Sequence, residues 1–396
     1  MWEVTTLGEY YDVRDGTHDS PKYVEDGYPL VTSKNLKDGK IDLSKIKYIS
    51  EKDYQDINKR SGVGLGDVLM AMIGTIGNPV EIIEPPTFAI KNVALFKTNA
   101  QQSPAYLRYF LSHPDTVSRM MSDAKGTTQK FVGLGYLRNF PISVPPLAEQ
   151  QRIVAKLDAA FAEIDAAIEV ADVKKVELDK LKDRTLATLL KGNEQMSKTL
   201  TLGDSSTFTS RGISPKYIEN GGVCVLNQKC IRNHKVNYEF SRRHNIEIKK
   251  VSEERFIRKG DLLINSTGQG TLGRVAQVKE EPKEITTVDS HVTIVRPRPE
   301  LFYPSYFGYA AISIENLIKS AGQGTSGQTE LAKSAVQNDF QITFPICHDE
   351  QKNIVDKLNE AFKQFENALN KNKEIKTNYL SLKSAILKQE LQSEAA

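Results

Sequence analysis

The chain has 396 residues, 39% of them hydrophobic and 26% charged, with 25 glycines, 16 prolines and a formal net charge of +3. That length favours two domains or a duplicated architecture over one core. The composition excludes disordered and fibrous classes, and the small net charge excludes the wholesale basicity of a histone-like polyanion binder. Arg242, Arg243, Lys249, Lys250, Arg255, Arg258 and Lys259 do form a basic cluster, which charge alone reads as a solvated face.

The opening Met1 to Tyr11 carries Glu3 and Glu9 and no basic-then-apolar run, and no apolar stretch reaches the length of a membrane span. A cytoplasmic protein without membrane contact is expected. Cys224, Cys230 and Cys347 are an odd, scattered set that gives no disulfide framework. Cys224, Cys230 and His234 lack a fourth ligand and the usual spacing of a zinc site, so buried thiols are expected there.

In chain order, β-branched and aromatic runs at Ile46 to Ile49, Val68 to Ile73 and Val93 to Phe96 predict strands, and Pro104 to Met121 predicts a helix. After Pro145-Pro146 the chain runs from Ala148 to Lys191 without Pro and with Gly only beyond its end, which predicts one long helix. The second half repeats the order. Strands are expected at Leu262 to Ile264 and Val292 to Val295, a helix at Ser305 to Ser320, and a second long helix from Asp349 to the C-terminus.

The repetition extends to residues. Thr6-Leu7-Gly8 recurs as Thr201-Leu202-Gly203, and Ser20-Pro21-Lys22-Tyr23 as Ser214-Pro215-Lys216-Tyr217. Gly66-Asp67-Val68-Leu69 with Gly74-Thr75-Ile76-Gly77 returns as Gly260-Asp261-Leu262-Leu263 with Gly270-Thr271-Leu272-Gly273. The run Glu149-Gln150 to Leu157 returns as Glu350-Gln351 to Leu358, and both continue to a phenylalanine, Phe161 and Phe362. Between these anchors, Lys34 to Arg60 and Lys229 to Arg258 match poorly. A fixed frame with a variable interior fits a reader of two different targets.

Leu157, Ile164, Ala171 and Leu178, and in the second repeat Leu358, Phe365, Asn372, Tyr379 and Ile386, fall seven residues apart and predict coiled-coil seams. Thr185 would continue the first seam. Each helix would extend about 64 Å at 1.5 Å per residue, and pairing with the other helix explains two matched seams more simply than packing on its own domain. A two-fold relation between the repeats would make the helices antiparallel, a rigid spacer between globules, with Asn372 helping to fix register. The expected fold is α+β. It divides into residues 1–147, a mixed α/β domain; 148–196, a helical region; 197–348, a second mixed α/β domain; and 349–396, a second helical region.

Catalytic patterns are missing. No Walker loop is present, because the Gly-Thr-x-Gly runs lack the phosphate-binding lysine. Glu84-Pro85-Pro86-Thr87 only superficially resembles the tetrad with which amino-methyltransferases grip a base, and Glu247-Ile248-Lys249 is a fragment of a metal-nuclease site. No nucleophile elbow or paired histidine spacing appears. We therefore expect no catalytic residues and no metal ligands in this chain.

These paired motifs resemble the specificity (S) subunits of type I restriction-modification systems over almost the whole chain. The resemblance rests on the opening Leu-Gly, Ser-Pro-Lys-Tyr, Gly-Asp-Val/Leu-Leu with Gly-Thr-x-Gly, the loops Gly126-Thr127-Thr128-Gln129 and Gly324-Thr325-Ser326-Gly327-Gln328, and Pro-x-x-Glu-Gln. One departure, Ile346-Cys347-His348-Asp349 against Pro146-Leu147-Ala148, leaves the start of the second helix open. The resemblance implies two domains that each read half of a gapped DNA site, joined by antiparallel helices that act as a ruler. It also implies as partners double-stranded DNA, two modification subunits methylating adenine N6, and restriction subunits. S-adenosylmethionine, ATP and magnesium would belong to those partners, with no cofactor in this chain. The rival reading from the residues is a stand-alone DNA-binding protein that dimerises through its helices.

Groove readers hydrogen-bond base edges while Lys and Arg hold phosphates. Candidate DNA contacts are Ser20, Lys22 and Tyr23 with Ser214, Lys216 and Tyr217, where a proline-fixed turn presents a hydroxyl, a cation and a ring; either tyrosine can instead dock in the core. Lys34, Asn35 and Lys37, with Asn227, Gln228 and Lys229, occupy the variable interiors. Thr127, Thr128, Gln129 and Lys130, with Thr325, Ser326 and Gln328, either contact DNA or form structural turns. Thr75, Thr271 and Arg274 add the Gly-Thr-x-Gly loops.

Overall fold

The computed structural model describes residues 2–191, 194–322 and 330–391. The chain forms two compact units: the first runs to Asp172 and resumes at Lys373, and the second is Val173–Asn372. Each long helix therefore gives one part of its length to each unit.

In the first unit an antiparallel sheet has the order Asp12–Asp15, Val93–Lys97, Val68–Ala71, Gly77–Glu81. Alternate residues of a strand point to opposite faces, and here both faces are covered. Val68, Met70, Ala94 and Phe96 enter a core shared with helices, whereas Leu69, Ala71, Val93 and Leu95 enter another with Val31, Leu36 and Ile90. This double burial explains why Val68–Ala71 reads as an unbroken apolar run. Val31 belongs to a mixed sheet ordered Ala89–Lys91, Tyr28–Thr32, Lys47–Ile49, Tyr23–Val24. The layers are thus helices, antiparallel sheet and mixed sheet.

The second unit repeats them. Its antiparallel sheet is Ser206–Arg211, Val292–Pro297, Leu262–Asn265, Val275–Gln277, and its mixed sheet is Tyr217–Ile218, Arg242–His244, Val223–Leu226, Thr286–Val288. Leu262 and Ile264 face the helices, while Leu263 and Ile294 share the other core with Cys224 and Cys230. Burial pushes the Cys230 thiol up to about 11, as expected of an apolar thiol. Among the described residues no group of three or more His, Cys, Asp or Glu is placed to hold a metal.

The repeated motifs have structural work. Gly66 (φ +81°) and Gly260 (φ +94°) take left-handed backbone that a side chain would strain, and the aspartates that follow are buried. Asp67 accepts from Lys97 Nζ at 2.8 Å and from the Gly64 N–H. Asp261 accepts from Arg296 Nε and Nη2, both at 2.8 Å, and from the Arg258 N–H. Burial pushes the Asp261 carboxyl above its ordinary value against the pull of Arg296.

The long helices are Leu147–Leu190 and His348–Leu391, each of 44 residues. Their repeated glutamines are fully buried. Gln150 donates to the Pro145 carbonyl (2.9 Å) and the Tyr10 hydroxyl (3.2 Å) and accepts the Ser103 N–H (3.1 Å). Gln351 donates to the Pro345 and Leu301 carbonyls (2.7 and 2.8 Å) and accepts the Tyr303 N–H (2.8 Å). One side chain thus satisfies main-chain groups on both sides of the joint where the helix leaves its globule. Further along, Tyr109 packs edge-on against Phe161 at 5.5 Å and Tyr309 against Phe362 at 5.3 Å, which explains the repeated phenylalanine.

Within each unit the helices run antiparallel. In the first, Asp165 meets Lys383 and Asp172 meets Lys376, while Lys156 meets Glu390. In the second, Leu186 shares a core with Leu358 and Phe362. Of the seam positions, Leu157, Ile164, Ala171, Leu358 and Asn372 are buried, and Leu178, Phe365, Tyr379 and Ile386 are half-buried. Toward each helix end the most buried residue moves on by one, to Leu186 beside Thr185 and Leu387 beside Ile386. A 3.6-residue turn loses about 20° per heptad, so a strict seven-residue seam drifts off the contact line.

Both predicted short helices are broken. Pro104–Ser112 is followed by Pro114–Asp123, because Pro114 cannot continue a helix and His113 caps the new one. Tyr306–Ser313 is likewise followed by Glu315–Ala321. The helix Glu51–Ser61 was not expected; it opens on a Ser50 cap accepting the Asp53 N–H.

Candidate nucleic-acid interface

Pro21 and Pro215 turn the chain into short edge strands, Tyr23–Val24 and Tyr217–Ile218, at corresponding places in the two mixed sheets. Neither tyrosine docks in the core: Tyr23 is 41% exposed and Tyr217 39%. In the second unit the buried His244 fixes the segment, accepting the Lys216 N–H at Nδ1 (2.9 Å) and pairing through Nε2 with the Lys249 carbonyl (2.8 Å). In the first, Lys91 donates to the Ser20 hydroxyl.

The first unit gathers its candidate segments on one side. Ser33 donates to the Asn92 carbonyl (2.9 Å), and His18 pairs with the Asn92 side chain (2.9 Å). Asn78 donates to the Leu36 carbonyl (3.3 Å), and the Gly74 N–H to the Lys130 carbonyl (2.8 Å). Lys22, Tyr23, Lys34, Lys37, Thr75 and Thr127 to Lys130 are exposed there. Beside them, between Thr17–Pro21 and the helix Glu51–Ser61, lies a cleft of about 320 Å³ with Asp19, Asp53, Asp56 and Arg60 in its walls. Arg60 pairs with Asp15, which also bonds His18.

Two asparagines require correction. Asn35 is buried, its oxygen accepts the Thr32 N–H and hydroxyl, and its amide donates to the Asp42 carbonyl at 3.0 Å. Asn227 accepts the Lys229 N–H (2.8 Å) and donates to the Phe240 carbonyl (2.6 Å). Both are turn caps whose polar atoms are engaged within the chain, so neither is presented for base reading. Lys37 pairs with Asp42, and Lys130 donates to the Met121 carbonyl at 3.1 Å.

In the second unit Thr271 donates to Gln228 Oε1 (3.2 Å), so the Gly-Thr-x-Gly loop of the frame meets the variable segment at Gln228, and Arg274 donates to the Gly270 carbonyl (2.8 Å) within that loop. Ser214, Lys216, Tyr217 and Lys229 are exposed. Thr325, Ser326 and Gln328 lie outside the described residues. Sequence reasoning missed Lys47 and Arg242, which stand beside the two tyrosines inside the poorly matched interiors; the basic run around Arg242 was the one signal.

The type I restriction modification DNA specificity domain matches residues 1–171 and again 195–377. A putative type I restriction enzyme MjaX specificity subunit of Methanocaldococcus jannaschii is 29% identical over 185 residues, 44% of this chain and 43% of that protein. The type I restriction enzyme EcoBI specificity subunit of Escherichia coli is 27% identical over 177 residues, 43% of this chain and 36% of that protein. The aligned segment thus spans less than half of either relative. A chain solved in work on complex assembly and conformational transition of the type I R-M system superposes with a TM-score of 0.72 at 19% identity, covering 99% of this chain and 98% of that one, a likeness of fold. With its frame present twice and matched twice, the chain belongs to the type I restriction modification DNA specificity domain family.

Proposed function

We propose that this chain is the DNA sequence-specificity subunit of a type I restriction-modification complex, acting in the cytoplasm and carrying no catalytic residues itself. Residues 1–147 and 197–348 would each read one half of a gapped site. Residues 148–196 and 349–396 would set the spacing and dock two adenine-N6 modification subunits, to which restriction subunits attach. The observation that carries the reading is one frame used twice around two unlike interiors.

Lys22, Lys34, Lys37, Lys130, Lys216, Lys229 and Arg274 supply cations for phosphates, Ser20, Thr75, Thr127, Thr128, Gln129, Ser214, Gln228 and Thr271 supply groups for base edges or sugars, and Tyr23 and Tyr217 present their rings within the same contact segments. Thr325, Ser326 and Gln328 extend the second set. Methyl transfer with S-adenosylmethionine, and ATP- and magnesium-dependent translocation, belong in this reading to the partners.

The test is to co-express the chain with an adenine methyltransferase subunit, isolate the complex and map methylated adenines across a genome. A gapped two-part motif, altered on one side only when residues 1–147 are exchanged, is expected. Absence of both complex and motif overturns the reading in favour of a stand-alone DNA-binding protein.

A further inference from the structure

The two mixed sheets share a feature that no sequence motif marks. In the first unit Tyr23 is paired with Ile49 across the edge of the sheet, and in the second Tyr217 is paired with His244. Two residues before each partner, hence on the same face, stands a cation: Lys47 and Arg242. Lys47 Nζ lies 4.2 Å from the centre of the Tyr23 ring, and Arg242 Cζ lies 3.3 Å from the centre of the Tyr217 ring. Both strands bury their residues in the same sequence, exposed, half-buried, buried. The interiors diverge elsewhere, yet this aromatic–cation couple occurs at the same place in each unit.

Its chemistry is open to solvent. Neither Lys47 nor Arg242 forms an ion pair among the described residues, and both are exposed. The adjacent Arg243 shows the contrast. Its guanidinium is engaged with Glu284 and with the Gly221 and Gly222 carbonyls, so it braces the strand. A cation over a ring is held in place by the ring's quadrupole while its N–H groups at the rim stay available, which suits a phosphate oxygen and, for arginine, a forked contact. Base edges demand different side chains for different targets, whereas the phosphate backbone is the same at every site. A device retained in both units fits the constant part of the ligand.

We infer that Lys47 and Arg242, each seated on its tyrosine, are sequence-independent clamps on the DNA phosphate backbone, one for each half-site, and that Tyr23 and Tyr217 act as platforms for those cations rather than as readers of bases. This rests on the proposed role as a DNA-specificity subunit.

The experiment compares wild type with Lys47→Gln, Arg242→Gln and the double variant, in the full chain assembled with its methyltransferase partner. Binding to a cognate and a scrambled duplex is titrated over a range of KCl, and the methylated motif is mapped. Each single change is expected to weaken binding to both duplexes alike, about eight-fold at 0.1 M salt for one phosphate at a slope of 0.9, and to make the salt slope shallower by about one. The motif should not change, and Arg242→Lys should recover most of the loss. Wild-type affinity and slope in both single variants, with unchanged melting, would overturn the proposal and leave the couples as strand staples. A motif altered on one side would overturn it in favour of base reading. Wild-type complex that binds neither duplex overturns the DNA-specificity reading itself, and the clamps with it.

Discussion

The interiors of the two units differ where their frames agree. After the strand Lys47–Ile49 the first unit builds the helix Glu51–Ser61 and an acid-walled cleft, whereas after the corresponding strand Arg242–His244 the second has only the short turn Glu253–Arg255 with basic residues around it. Both insertions hang from the same mixed sheet in the same strand order. Carboxylates accept from cytosine amino groups and guanidinium forks suit guanine, so the contrast teaches that the frame fixes where an interior is displayed and leaves open what it displays.

The largest expected effect strikes the frame unequally. Asp261→Ala strands the largely buried Arg296 and should cost about 3–5 kcal/mol. Asp67→Ala leaves the more exposed Lys97 able to reach water and should cost about 1.5–3 kcal/mol. Chemical denaturation of each variant measures both, and equal losses would break the distinction drawn from burial.

Next come the glutamine joints. Gln150→Ala and Gln351→Ala each leave main-chain groups without a side-chain partner, some of them part-buried and able to turn to water, at about 1–3 kcal/mol for each variant. The second should cost more, since Gln351 serves two carbonyls and an N–H, all of the main chain. Melting temperatures of the two variants compare them directly.

Acid should then separate the units. Burial pushes the Glu315 carboxyl up, but hydrogen bonds from His234, Lys319 and the Val275 N–H outweigh it and hold the group at about 2. Its folded value lies below the ordinary 4.5, so the stability it contributes is present above that value and lost as pH falls toward 2. Glu315→Gln should lower stability near neutrality and flatten the loss between those limits, followed by fluorescence against pH. An unchanged acid profile would remove this network from the account.

The smallest effect belongs to the helix ladder. Lys376→Ala and Lys383→Ala break exposed pairs with Asp172 and Asp165 and should cost only about 0.2–1 kcal/mol each. A double-mutant cycle of Lys383 with Asp165 isolates the coupling.

The frame was legible because its residues meet demands that few others can: glycine at positive φ, a buried aspartate held by a cation, glutamine bridging main-chain groups. The helix division at Pro114 was also written in the sequence, but the apolar periodicity running through it concealed the break. The helix Glu51–Ser61 sits in an interior with no counterpart to confirm it. Asn35 and Asn227 were misread for a chemical reason: the amide that pairs with adenine also caps turns, and only the fold decides which it does. Lys47 and Arg242 emerge when strand register, and not residue identity, aligns the interiors.

The glutamine joints have a consequence for inheritance. Gln351 grips atoms that every amino acid supplies, the carbonyls of Pro345 and Leu301 and the N–H of Tyr303, and Gln150 does nearly the same. Substitutions elsewhere in a globule therefore leave these hydrogen bonds their partners. A globule whose chain ends in a proline followed shortly by Glu-Gln can make this joint whatever its interior holds, as the spacings Pro145 to Gln150 and Pro345 to Gln351 both do. The interior of a globule can then change without its joint to the helix being rebuilt.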